Sequence, residues 1–166
     1  MQPNFLIIAL AAFIPMIVGF IWYNPKVLGT AWMQASGMTP EKAKAGNMPL
    51  IFGLSFLFSL FLSLQMNFLV IHQAHLSSIL MNEPGFQDPN SEIRIWLTDF
   101  MAKYGQNFRT FKHGALHGFI AGVLIALPIV GTGALFEQKS GKYIAINVGY
   151  WIVSFCLMGG VICAFS

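Results

Sequence analysis

The histidines of this chain come in two pairs, His72 and His75 within "HQAH" and His113 and His117 within "KHGALHG". Neutral imidazoles ligate zinc, copper and haem iron. Spacings of three and four put both members of a pair on one helix face. Two such helices side by side would offer His72, His75, His113 and His117 to one metal ion or to a haem held between them. No cysteine or carboxylate joins the pattern. The competing reading is a ring that snorkels or hydrogen-bonds at the end of an apolar segment. The distance between the two pairs decides between them.

A second constellation is polar and aromatic: Tyr23, Asn24, Trp32, Asn47, Glu137, Asn147 and Tyr150, with Trp22 beside it. Tyrosine and tryptophan at the ends of apolar segments are ordinary interfacial anchors. Asn147 is less ordinary, because it falls about one turn inside such a segment. An amide at that depth needs a partner on another helix, and Tyr23 or Glu137 could supply it. Motifs of catalysis are missing: no phosphate-binding glycine loop, no ordered Ser/His/Asp set, no helical His-Glu zinc signature. The expectation is therefore a protein that is not an enzyme and needs no cofactor.

The elements that must position these residues follow from composition. Of 166 residues, 56% are hydrophobic and 9% charged, against about 25% charged in a soluble domain. Lipid must be part of the solvent, and the net charge of +3 reports orientation and not nucleic-acid binding. Crossing a hydrocarbon core takes about 20 helical residues. Runs of that length without Asp, Glu, Lys or Arg occupy 5–23, 49–71, 114–136 and 143–165. The backbone of each must be helical, since lipid offers it no hydrogen bonds. The first run lacks a basic leader and ends in Trp22-Tyr23-Asn24-Pro25, so it reads as a retained span and not a cleaved signal. The sequence thus predicts one all-α domain, a four-transmembrane-helix bundle.

Between the second and third spans lies a connection over 72–113, too long for a turn. After the breakers of "NEPGFQDPN" it carries Ile93, Trp96 or Leu97, Phe100, Tyr104 and Phe108 at helical spacing, with Ser91 as the N-cap. This reads as an amphipathic interfacial helix, or as a small cap on the bundle. The first and third connections define side A; the second connection and both termini define side B. Side A carries Lys26, Lys42, Lys44, Lys139 and Lys142 in short loops, and side B carries Arg94, Lys103, Arg109 and Lys112 in a longer one. That asymmetry places side A in the cytoplasm and both termini outside.

Apolar side chains gain little by leaving lipid for one another, so helices associate through small residues. Gly114, Gly118 and Gly122 form one row on the third span, with Leu116, Phe119, Ile120, Val123 and Leu127 nearly opposite. The fourth span offers Cys156, Gly160 and Ala164, the second Ser55, Ser59, Ser63 and Asn67, and the first Ala11, Pro15 and Gly19. Cys156 and Cys163 are seven residues apart on one helix, about 10 Å, which no disulfide spans. Pro15 and Pro128 remove backbone donors and should loosen their helices.

"WYNPKVLGTAW", "GNMPLIFGLSF" and "ALFEQKSGKYIAINVGYWIVSFCLMGG" resemble the bacterial membrane family catalogued as domain of unknown function 1761. The resemblance rests on Trp22, Tyr23, Pro25, Gly29, Trp32, Asn47, Phe136, Glu137, Asn147, Gly149 and Tyr150, and leaves out the connection from His72 to Thr110. It implies a four-helix protein of the bacterial inner membrane and supplies no activity. The leading expectation is a structural or accessory unit of a membrane assembly or homo-oligomer, in contact with lipid and with itself or other membrane proteins. An oligomeric transporter or channel using the neutral row through Asn67, and a metal or haem protein using the histidines, are the alternatives.

Overall fold

The computed structural model describes residues 3–166. Helices long and apolar enough to cross a membrane occupy Phe5–Trp22, Met48–Val70, Phe111–Phe136 and Gly141–Phe165. The chain is a multi-pass membrane protein, all-helical among the described residues.

Proline shapes two of the spans, each in its own way. The first divides into α1 (Phe5–Ala11) and α2 (Ile14–Trp22). Pro15 has no N–H to give the Ala11 carbonyl, and its ring crowds that turn. In the third, α8 (Phe111–Ala121) passes into a wide π-turn, Gly122–Ala126, before α9 (Leu127–Phe136) begins with Pro128 in its first turn. The wider turn absorbs the missing donor without breaking the span.

Side-chain caps set the other boundaries. Asn47 accepts from Leu50 N at 3.2 Å and opens α5 (Met48–Val70), which carries Pro49 in its first turn. Thr110 accepts from His113 N and opens α8, three residues earlier than the apolar run begins. Ser140 accepts from Tyr143 N and opens α10 (Gly141–Phe165). Each satisfies a backbone donor that the first helical turn leaves unpaired.

The fourth span is the axis of the bundle, and burial of Phe155, Met158, Gly159, Ile162 and Cys163 makes it the core. The glycine row of α8 lies directly on it. A Cβ at Gly114 would fall on the Gly159 carbonyl, and one at Gly118 on the Phe155 carbonyl. One at Gly122 would sit 2.6 Å from Ile152 Cγ1. Backbone therefore meets backbone, the contact that favours association in lipid. On the fourth span the α8 glycines meet Ile152, the Phe155–Cys156 peptide and Gly159, so the row Cys156, Gly160 and Ala164 read from spacing faces α8 at Cys156 but meets no glycine at Gly160. Gly160 instead lies under the Phe111 ring, 2.5 Å from where its Cβ would be, while Cys156 and Ala164 are only half-buried.

The connections hold more helix than periodicity showed. On side A, α3 (Gly29–Ser36) and α4 (Pro40–Lys44) fill the first connection. On side B, α6 (His72–Leu80) follows a break at Ile71, and α7 (Glu92–Tyr104) is the amphipathic helix, capped by Ser91 accepting from Arg94 N. Leu97 is its buried residue, while Ile95, Trp96, Phe100 and Tyr104 are exposed, an apolar surface of the kind an interfacial helix presents. Phe108 is not part of it. It lies beyond the helix end with a left-handed backbone, φ 64°.

Candidate functional site

At side A the polar and aromatic residues tie the end of the first span to the fourth. The Tyr23 hydroxyl donates to Asn147 Oδ1 at 3.1 Å, and Asn147 Nδ2 donates to the Tyr143 carbonyl at 2.8 Å. Tyr23, not Glu137, is therefore the amide's partner. Trp22 Nε1 donates to the Ile146 carbonyl, and the Tyr150 hydroxyl to the Pro15 carbonyl, both at 3.0 Å. Glycine makes room for these rings: the Trp22 ring passes over Gly149, 3.0 Å from where a Cβ would stand, and a Cβ at Gly29 would meet the Tyr23 carbonyl. The Tyr23 ring sits 5.3 Å from both Trp32 and Tyr150. Burial, with the neighbouring phenols of Tyr150 and Tyr143, pushes the Tyr23 hydroxyl above its ordinary value of 10.0. It stays protonated and keeps donating.

The remaining side A residues do local work. Asn24 folds the turn after the first span by accepting from Lys26 N, Asn47 is a helix cap, and Glu137 is exposed at the end of α9. Lys139, which enters the sequence reading only through its charge, donates to the Ser36 carbonyl at 3.0 Å and fastens α3 to the third connection.

Beside this knot the first and second spans part. Met48–Phe58 is exposed except at Phe56, whereas Ser59, Ser63, Met66, Asn67 and Val70 are buried. Ser63 donates to the Ile8 carbonyl at 2.7 Å. The parting leaves a cleft of about 770 Å³ between Gly19, Phe20 and Tyr23 on one side and Phe52, Ser55 and Phe58 on the other.

At side B three of the four histidines converge. His72 Nε2 and His113 Nε2 are 2.9 Å apart, and the ligating atoms of His72, His113 and His117 all lie within 4.8 Å of one another. The rings meet edge to face at centroid distances of 5.1, 4.9 and 4.6 Å. His113 and His117 share a face of α8 one turn apart, while His72 opens α6 across from them. Burial, with the nearby His113 and His75, holds His72 below its ordinary 6.5, so its ring is neutral at neutral pH.

His75 is not a member. Its Nε2 lies 2.9 Å from the Phe68 carbonyl, and a carbonyl only accepts, so that nitrogen carries the proton. The break at Ile71 leaves the last carbonyls of α5 without partners, and His75 turns back to cap one. A haem does not fit either, because a 2.9 Å gap between Nε2 atoms leaves no room for a macrocycle.

Two residues that spacing did not identify build the wall. The left-handed turn at Phe108 carries its ring to 5.0 Å from His113, and its carbonyl accepts from Thr110 N at 2.8 Å and from Cys163 Sγ at 3.2 Å. Gln73 Nε2 donates to the Asn107 carbonyl at 2.9 Å and binds α6 to the same turn.

A family model described as "Protein of unknown function (DUF1761)" matches residues 6–163, and the chain belongs to that family. No curated protein and no solved structure matches it.

Proposed function

We propose that this member of the DUF1761 family is a non-enzymatic structural or accessory unit of an assembly in the bacterial inner membrane, built from copies of itself or from neighbouring membrane proteins. The observation that carries this reading is the second span, which buries only 11% of its membrane window within the chain and, over Met48–Phe58, meets the first through the Phe13–Phe56 ring contact. A helix so little used by its own bundle is available to another. The side A polar groups support the same reading, since Tyr23, Asn147, Trp22 and Tyr150 are taken up in holding helices together. The five side A lysines in short connections support a cytoplasmic side A with both termini outside.

Mass measurement in mild detergent, with identification of co-purifying proteins, tests the assembly. A complex larger than one chain, linked covalently through a cysteine introduced as Phe52→Cys, supports it. A lone chain that neither cross-links nor retains a partner overturns it. A reporter fused to the C-terminus reads the orientation.

One observation favours transport as a second reading: Asn67 is 2% exposed, and its Oδ1 finds no hydrogen-bond donor among the described residues. Solute uptake by liposomes that Asn67→Leu abolishes would establish that reading, and tight vesicles would remove it.

A further inference from the structure

We propose that His72, His113 and His117 form a site for one divalent transition-metal ion of the zinc or copper class, at the side B face of the membrane. The site is independent of the assembly reading and rests on other residues.

Geometry carries the proposal. In a tetrahedral site with zinc–nitrogen bonds of about 2.0–2.1 Å, ligand nitrogens stand about 3.3–3.4 Å from one another. The His72 and His113 nitrogens, at 2.9 Å, are already closer than that. No pair in the trio exceeds 4.8 Å, so side-chain rotations of about 1.5 Å or less close the triangle. The 2.9 Å contact requires one ring to donate and the other to accept. For a metal to bind both, the donating ring shifts its single proton from Nε2 to Nδ1, so that the Nε2 lone pairs of His72 and His113 both face the ion.

The chemistry of the donor set narrows the ion. Three imidazoles without thiolate or carboxylate suit zinc and copper and give magnesium or calcium nothing to hold. Three protein ligands leave a fourth position open to water.

The ligands also stand on fixed elements, as a preorganised site requires. His113 and His117 flank Gly114, whose contact with the Gly159 carbonyl pins α8 to α10. Thr110 caps the turn that carries His113, the Phe108 ring backs it, and Gln73 holds the start of α6 against the same turn. His75, three residues after His72, serves as an internal control, because its Nε2 is committed to the Phe68 carbonyl.

The test uses tag-free full-length protein in lipid nanodiscs, titrated calorimetrically with Zn²⁺ and examined by absorption with Co²⁺. One ion per chain is expected, with the visible d–d bands of four- or five-coordinate cobalt. His113→Ala and His117→Ala should each weaken Zn²⁺ binding by about 100-fold or more, and His75→Ala should leave it within about threefold. Absence of binding at micromolar Zn²⁺ overturns the site, as does equal weakening by His75→Ala. Helicity and elution volume report whether each variant folds; if an alanine variant does not, His113→Gln and His117→Gln replace it and must show the same loss. Retained binding in a folded glutamine variant also overturns the proposal.

Discussion

The two membrane faces bring polar side chains together in opposite ways. At side A every group that meets another satisfies it: a phenol donates to an amide, an indole and a second phenol donate to backbone carbonyls. At side B three imidazoles meet chiefly each other, with one hydrogen shared across a 2.9 Å gap. A set of donors matched to acceptors closes on itself and stabilises the fold. A set of like groups, each both donor and acceptor, retains capacity for something further. The first is a fastening and the second a receptacle, although both unite the ends of different spans.

The largest effect expected is one that abolishes both. Gly118→Leu drives a side chain into the Phe155 backbone and separates the third span from the fourth, at a cost of about 3 kcal/mol or more. Denaturant titration in micelles should show an early transition or no folded state, and metal binding should disappear with the fold. Next comes a dissociation between the faces. His113→Ala should weaken Zn²⁺ about 100-fold with little change in the unfolding midpoint, whereas Asn147→Leu should move the midpoint and leave Zn²⁺ affinity unchanged. If either variant disturbs both readouts, the contrast between fastening and receptacle fails.

A smaller effect measures the fastening itself. A double-mutant cycle of Tyr23→Phe and Asn147→Leu should return a coupling of about 0.6–1 kcal/mol, the usual worth of an interhelical hydrogen bond in a membrane. Zero coupling would make their 3.1 Å contact incidental.

The smallest effects are those of pH, and their signs differ between the faces. Tyr23 has its folded value raised above the ordinary 10.0, so its contribution is complete below pH 10 and is lost as pH rises through the folded value. His72 has its folded value depressed below 6.5, so its contribution is present above 6.5 and is lost as pH falls through the folded value. In metal-free protein, alkali should therefore loosen side A and acid side B. Unfolding midpoints of wild type, Tyr23→Phe and His72→Ala across pH check this, each substitution reducing its own limb and leaving the other unchanged.

Much of this contrast was legible in the residues. Four spans followed from length and the absence of charge, and the flat face of the third span from its three glycines. The depth of Asn147 announced its need for a partner. The separation of His75 from His72 was not legible, because a spacing of three implies a shared face only if both stand in a helix aligned with the neighbouring pair. The break at Ile71 redirects that helix, and the vacant carbonyls it leaves recruit His75. The wall of the histidine site was equally hidden. A left-handed phenylalanine has no signature in sequence, and Phe108 continued an amphipathic period that in fact ends at Tyr104. The side A helices α3 and α4 are too short to show a period.

The unequal spans have a consequence for the bilayer. At 1.5 Å per residue the first, of 18 residues, reaches about 27 Å, while the second, third and fourth, of 23, 26 and 25 residues, reach about 35 to 39 Å. A hydrocarbon layer of about 30 Å cannot hold all of them upright. Tilt, kinking or extension of the helix ends into the headgroup region accommodates the excess, and the second span is held in its first half mainly by the Phe13–Phe56 contact. Membrane thickness then acts on this protein as a mechanical load. Bilayers of different thickness, with the opening beside Tyr23 followed by a spectroscopic distance between the first and second spans, test whether this mismatch reaches the cleft.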